Sequence, residues 1–284
     1  MLPQVITSGI LMGCVYSLVA VGLTLIWGVM DIINFAHGEF LMLSMYTAFW
    51  LYTLIGMDPL FSLPIATLLI FVLGVLTYKL IIKHVINAPG LTALLATFGF
   101  SLILRNLALF LWSPNYRFIN NAIVTDKKFQ VGSVIIGMPQ LVASLGSIIM
   151  TVLIYNFVTN TKTGRAIQAT ALDRQTAVLM GIDTEKIYAI TFGIGGACVG
   201  VAGALMSTIF PVYPEAGVLY SLLAFVVVAL GGFGNIKGAF LGGIIIGLAE
   251  ALGGYFVGPS LKYAVVFLIY LLVVLYKPKG LFGW

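Results

Sequence analysis

Nine consecutive residues, Asp31-Ile-Ile-Asn-Phe-Ala-His-Gly-Glu39, place two carboxylates, a carboxamide and an imidazole between two long apolar stretches. Ionisable groups at membrane depth are costly, and those that occur there face a bundle interior or an aqueous path. A helix broken at this point would aim free backbone groups and the side chains of Asn34, His37 and Glu39 at a passing solute. At the membrane surface the same cluster would be an ordinary solvated loop. The chemistry on offer is recognition or gating along a translocation pathway.

A second polar break, Gly231-Gly-Phe-Gly-Asn-Ile-Lys-Gly238, holds Asn235 and Lys237. Asn34-x-x-x-Gly38-x-Phe40-Leu41 and Asn235-x-x-Gly238-x-Phe240-Leu241 match at four positions across a one-residue gap, a hint of an internal repeat that chance could supply in so Gly-rich a chain. Asn235 joins the candidate pathway or gate residues. Glu250 reads as a functional intramembrane carboxylate or as a group reaching the surface from a short helix end. There is no Gly-x-x-x-x-Gly-Lys-[Ser/Thr], no His-Glu-x-x-His and no Gly-x-Ser-x-Gly, so neither a P-loop nor an enzyme site is expected. Cys14 and Cys198 sit in apolar stretches without metal-ligand spacing and read as packing residues.

The elements that carry these groups follow from composition. Of 284 residues, 61% are hydrophobic and 8% charged, and the mean hydropathy is +1.12. A soluble domain would be about 45–50% apolar and about 25% charged. Only helices of about 20 apolar residues satisfy their own backbone in hydrocarbon, so an all-α polytopic bundle is predicted. Nine apolar segments can be traced, at Val5–Met30, Phe40–Gly56, Leu60–Ile82, Leu91–Trp112, Leu141–Val158, Ile187–Pro211, Val218–Leu230, Ala239–Leu252 and Tyr263–Leu275. The seventh and eighth span only about 13 and 14 residues, so 218–252 reads as two thin crossings or a re-entrant pair and the span count as eight or nine. The first segment lacks a basic leader and a cleavage site, and is expected to stay as an anchor. Gly195-Gly-Ala-Cys-Val-Gly-Val-Ala-Gly203 and the glycines at 238, 242, 243 and 247 are expected to let helices approach closely.

Lys and Arg near span ends are retained on the cytoplasmic side. Nine crossings put Lys79, Lys83, Lys162, Arg165, Arg174, Lys186, Lys237, Lys277 and Lys279 together inside, which predicts the N-terminus out, the C-terminus in, and the Asn34 to Glu39 cluster near the cytoplasmic ends of the first two spans. The chain then reads as one membrane domain, 1–284, with an extracytoplasmic loop at 113–139 and a cytoplasmic loop at 159–186. The outer loop carries Lys128-Phe-Gln-Val-Gly-Ser-Val-Ile-Ile136, the pattern of a short hairpin. In the inner loop, small and apolar residues recurring at three and four from Ala166 to Met180 predict a short helix closed by Gly181. It is neither basic nor rich in large apolar residues, so it fits a shallow groove on a cytoplasmic protein better than it fits lipid.

These residues resemble the membrane permeases of bacterial ABC importers for branched-chain amino acids, of the LivH type. The resemblance runs over nearly the whole chain and is carried by Gly22-Leu-Thr-Leu-Ile-Trp-Gly28, Ile33-Asn-Phe-Ala-His-Gly-Glu39, Thr163-Gly-Arg-Ala-Ile167 with Asp173-Arg174 and Met180-Gly-Ile-Asp183, Leu230-Gly-Gly-Phe-Gly-Asn-Ile-Lys-Gly-Ala239, and Lys277-Pro-Lys-Gly-Leu-Phe-Gly283. It implies a type II-like importer permease in the inner membrane that moves Leu, Ile or Val. It also implies pairing with a second homologous permease, two cytoplasmic ATP-binding subunits that hold the ATP, and an extracytoplasmic solute-binding protein. Gly164, Arg165, Ala169, Asp173, Arg174, Gly181 and Asp183 would then form the ATPase-coupling element. Lys237 departs from the residue expected at its position. Urea and short-amide permeases share much of the pattern, and a secondary transporter coupled through Asp31, Glu39 or Glu250 would need no ATPase.

Overall fold

Each of the nine apolar segments is a helix in the computed structural model, which describes every residue except Asp126 and Trp284 and, for Val131, the backbone alone. In chain order the helices are α1 Leu2–Met30, α2 His37–Ile55, α3 Pro59–Val85 with a π-helical stretch at Tyr78–Ile82, α4 Gly90–Trp112, α5 Met138–Asn160, α6 Lys162–Leu172, α7 Arg174–Leu179, α8 Thr184–Met206, α9 Ala216–Gly231, α10 Ile236–Phe256 and α11 Lys262–Tyr276. Six of them, α1, α3, α4, α5, α8 and α10, are long and apolar enough to cross a membrane, and α9 and α11 are shorter apolar helices.

The eighth segment is not thin. Its helix, α10, has 21 residues because Asn235 caps it before Ile236, and because Gly253 and Gly254 continue it instead of ending it. The seventh, α9, reaches 16 residues.

The helices alternate between two ends of the bundle. At one end, strands β1 Lys128–Val131 and β2 Val134–Gly137 pair antiparallel around Gly132-Ser133, as the hairpin pattern predicts, and Gln4 ties α1 to the carbonyl and N–H of Ile135. Arg117 and Val212 bridge two loops there, and Asp58 caps α3 while accepting from the N–H of Ile123. At the other end lie α6, α7 and the Gly231 to Gly238 turn. Lys83 pairs with Glu185 there, Arg174 meets Asn87, and the tail residues Gly280 and Gly283 pack on Gly232.

α8 and the part of α1 from Met12 onward form the centre and are almost wholly buried. Small residues make that possible, as expected: Gly9 and Gly13 of α1 face Gly247 and Ile244 of α10, Ser17 Oγ donates to the Phe240 carbonyl at 2.7 Å, and Gly196, Gly200 and Gly203 of α8 meet Ile70, Thr67 and Leu41. α4 is peripheral and shows most of one face outward, including Leu95, Phe98 and Phe110.

Two expectations are corrected. The inner loop holds two helices, not one, because Asp173 leaves helical geometry and accepts from the N–H groups of Gln175 and Thr176, opening α7 on its own cap; Gly181 at φ +82 does close that second helix. The polar cluster is not at the end of the spans. After α1 the chain turns at Asp31, in left-handed geometry at φ 54, and residues 31–36 climb back without helix, so α2 starts level with Val19 in the middle of α1.

Candidate functional site

Asn34, His37 and Glu39 are fully buried at this mid-depth break. Non-helical backbone inside a membrane bundle needs partners from its neighbours. They come from three helices, α1, α4 and α9: the His37 ring meets the Val19 carbonyl of α1 through Nε2 at 2.9 Å, which assigns the proton to that nitrogen, and Thr97 of α4 donates to the Ile33 carbonyl at 2.9 Å. Ser221 of α9 accepts from the Gly38 N–H at 2.9 Å and donates to the Phe35 carbonyl at 3.3 Å. Gly22 of α1, facing Gly195 and Cys198 of α8, leaves the space that the His37 ring fills.

Glu39 has a charged partner. Arg105 of α4 reaches its Oε1 with Nη2 at 2.6 Å and Nε at 3.1 Å. Arg105 is the residue that sequence reasoning left unassigned, although a cation within an apolar span signals that an acid must face it. Three atoms of the cluster, Asn34 Nδ2, His37 Nδ1 and Glu39 Oε2, are buried without a hydrogen-bond partner among the described residues. The arrangement is a sealed polar knot joining α1, α2, α4 and α9. Spare donors and acceptors allow it to change partners if those helices shift.

Asn235 lies elsewhere, half-buried at the far end of the bundle. Its Oδ1 accepts from the Gly238 N–H and its Nδ2 donates to the Phe282 carbonyl, both at 3.0 Å. It lines a cavity of about 330 Å³ with Thr24 and Gly28 of α1, Tyr155 and Thr159 of α5, and Gln168 of α6. Lys237 Nζ sits 5.2 Å from the Tyr155 ring centre at its edge.

The inner-loop residues divide by exposure. Gly164 is buried where a β-carbon would run into the backbone of Phe157 and Val158, and Ile167 and Thr170 bury the same stripe of α6; Ala169 is half-buried, while Arg165, Asp173, Gly181 and Asp183 are exposed. Arg174 is exposed too and lies 5.5 Å over the Tyr188 ring. Hydrogen bonding to the Thr176 hydroxyl holds the Asp173 carboxyl below the usual aspartate range, and Lys186 does the same for Asp183. Leu172, Leu179 and Met180 are 88%, 85% and 77% exposed. These three large apolar side chains flank α7 and lie along the chain beside the exposed Asp173 and Arg174.

Residues 5–275 match the family model described as branched-chain amino acid transport system, permease component. The chain is 32% identical to the high-affinity branched-chain amino acid transport system permease protein BraD of Pseudomonas aeruginosa, over 99% of this chain and 95% of that one. It is 31% identical to the corresponding LivH protein of Escherichia coli K12, with the same two coverages. The D-allose transport system permease protein AlsC of Escherichia coli K12 is 28% identical over 68% of this chain and 59% of its own. Among solved structures, PsaBC from Streptococcus pneumoniae in complex with Fab shares the fold at 13% identity, covering 96% of this chain and 92% of that chain with a TM-score of 0.53.

Proposed function

The chain belongs to the family of permease components of branched-chain amino acid transport systems, and from that membership we propose that it moves leucine, isoleucine and valine into the cell while partner ATPases supply the energy. It is an all-helical multi-pass membrane protein with a type II-like importer fold, and a transport subunit, not an enzyme. Its partners in this reading are a second permease of the same kind, two cytoplasmic ATP-binding subunits and an extracytoplasmic binding protein that delivers the solute. The hairpin end faces outward and the α6–α7 end inward, with the basic residues of that end following the positive-inside pattern.

The structural observation that supports the ATPase-driven part of the proposal is the two-sided build of the inner loop. One side of α6, through Gly164, Ile167 and Thr170, is seated on the bundle, while Leu172, Leu179 and Met180 around α7 face away from it. An ATPase groove would take the outward patch, with Arg165, Asp173, Arg174 and Asp183 at its polar rim. Movement of α6 would deform the cavity it shares with Asn235 and α1. Val19 of α1 would pass that displacement to His37, and the knot would exchange partners as α2 and α4 shift. In this role Asn34, His37 and Glu39 form a gate or hinge, since they are sealed from solvent in the present conformation.

Reconstitution of the chain in liposomes, alone and with its co-purified partners, tests the proposal. Leucine uptake that requires the partners and ATP is the expected result. Uptake by the chain alone under an ion gradient would replace it with secondary transport, and uptake of urea or short amides in preference to leucine would reassign the substrate.

A further inference from the structure

Glu250 is a buried acid, 8% exposed on α10 toward the hairpin end. Tyr16 of α1 donates to its Oε2 at 2.7 Å, and Lys262, the first residue of α11, donates to its Oε1 at 2.5 Å. The pair is not sealed in the core. It forms part of the wall of a cavity of about 340 Å³ between α1, α5, α10 and α11, which falls in the size range of small-molecule sites. Small residues keep the space open: a β-carbon on Gly254 would meet only the Lys262 side chain, at 3.8 Å. Met12, Phe210 and Pro259 give the cavity apolar walls, and Gln140 adds a neutral polar group.

A brace between helices does not need this chemistry, because replacing a buried ion pair with apolar residues of similar volume is often neutral or stabilising. Both charged groups also keep unused capacity. A carboxylate offers about four lone-pair sites, and Glu250 accepts from Tyr16 and Lys262; an ammonium offers three donors, and Lys262, whose Nζ also lies 4.6 Å from the Tyr263 ring centre, gives one to Glu250. A ligand with one ammonium and one carboxylate would complete both groups together. An aliphatic side chain on the same ligand would lie against Met12 and Phe210.

We propose that this cavity is a recognition site for the zwitterionic head of an aliphatic α-amino acid, with Glu250 binding the α-ammonium and Lys262 the α-carboxylate. The site rests on the permease reading above and adds to it a first stop for solute toward the hairpin end, with Tyr16 about one helical turn from Val19, the residue of α1 that bonds His37. Tyr16 is a positioning residue that holds the Glu250 carboxylate toward the cavity.

The assembled importer in lipid nanodiscs, labelled with the diazirine analogue L-photo-leucine and mapped by mass spectrometry, tests the site. Labels on the Met12 and Phe210 walls are expected, displaced by excess leucine and not by 4-methylpentanoate or 3-methylbutylamine, which each lack one charge. Glu250→Gln and Lys262→Met should each reduce cavity labelling at least tenfold. Gly254→Leu, which fills the space and leaves the ion pair in place, should do the same with the thermal transition unchanged. Equal displacement by the singly charged analogues, labelling confined to other parts of the chain, or full labelling in all three variants would overturn the site. Uptake by the wild-type complex, measured in parallel, decides the permease reading, so the two fail separately.

Discussion

The guanidinium of Arg105 turns both Nη2 and Nε to one oxygen of the Glu39 carboxylate, at 2.6 and 3.1 Å, and so fastens the peripheral helix α4 to the first turn of α2. Besides this pair, α4 meets the bundle through the Thr97 bond to the Ile33 carbonyl and through ring contacts such as Phe40 with Phe100 and Tyr46 with Trp112. Removing one partner of a buried pair strands the other charge and costs about 3–5 kcal/mol. Arg105→Met should therefore lower the thermal transition of the purified protein sharply, and the double variant Glu39→Gln with Arg105→Met should recover much of the loss. Equal melting of the single and double variants would show that the pair does not hold α4.

Gly38 and Gly217 bring the first turns of α2 and α9 into backbone contact: a β-carbon on Gly217 would lie 2.6 Å from the Gly38 carbonyl oxygen, and one on Gly38 would overlap the Gly217 carbonyl. Overpacking a tight site costs about 1–3 kcal/mol when neighbours can yield, and backbone yields least. Gly38→Ala should insert in the membrane and lose most leucine uptake. Gly99→Ala on the open face of α4 has nothing within 4 Å and should transport normally. Matching uptake in the two variants would remove the Gly38 contact from the mechanism.

Asp173 caps α7 with Oδ1, which accepts from the N–H groups of Gln175 and Thr176 at 2.9 and 3.2 Å. Asparagine preserves such a cap and alanine does not. Solute-stimulated ATP hydrolysis by the assembled complex should thus fall several-fold in Asp173→Ala and remain close to wild type in Asp173→Asn. Arg165→Glu, at the exposed rim of α6, should also fall several-fold. A large loss in Asp173→Asn would mean that the charge, and not the cap, meets the ATPase.

Asn235 links three segments, since its Oδ1 caps α10 and its Nδ2 holds the Phe282 carbonyl of the C-terminal tail. Asn235→Asp keeps the cap and loses the donor to the tail, whereas Asn235→Ala loses both. Limited trypsin digestion should cut after Lys279 several times faster in both variants than in wild type, with the larger increase in Asn235→Ala. Unchanged cleavage in Asn235→Ala would show that the Gly232 packing alone retains the tail.

The nine apolar helices were legible in the sequence because each is an apolar stretch that only helix can carry through lipid, and the hairpin was legible because β-branched residues flank a Gly-Ser pair. The depth of the Asn34 to Glu39 cluster was not. Charge statistics locate span ends, whereas the climb of residues 31–36 depends on a left-handed turn at Asp31 and on Thr97, Arg105 and Ser221, which are remote along the chain. The division of α6 from α7 was missed for a local reason: small and apolar residues keep a helical period across Asp173, and a cap inside that period shows only in the backbone.

The unwound stretch before α2 also bears on how the protein is made. When α1 and α2 leave the ribosome, the peptide groups of residues 31–38 have few of their final partners, because Thr97 follows much later and Ser221 emerges only after most of the chain has been synthesised. Hydrocarbon tolerates no such unpaired backbone. The first two spans therefore cannot settle as an independent hairpin at insertion, and must stay near water or a protein escort until α9 arrives to complete them.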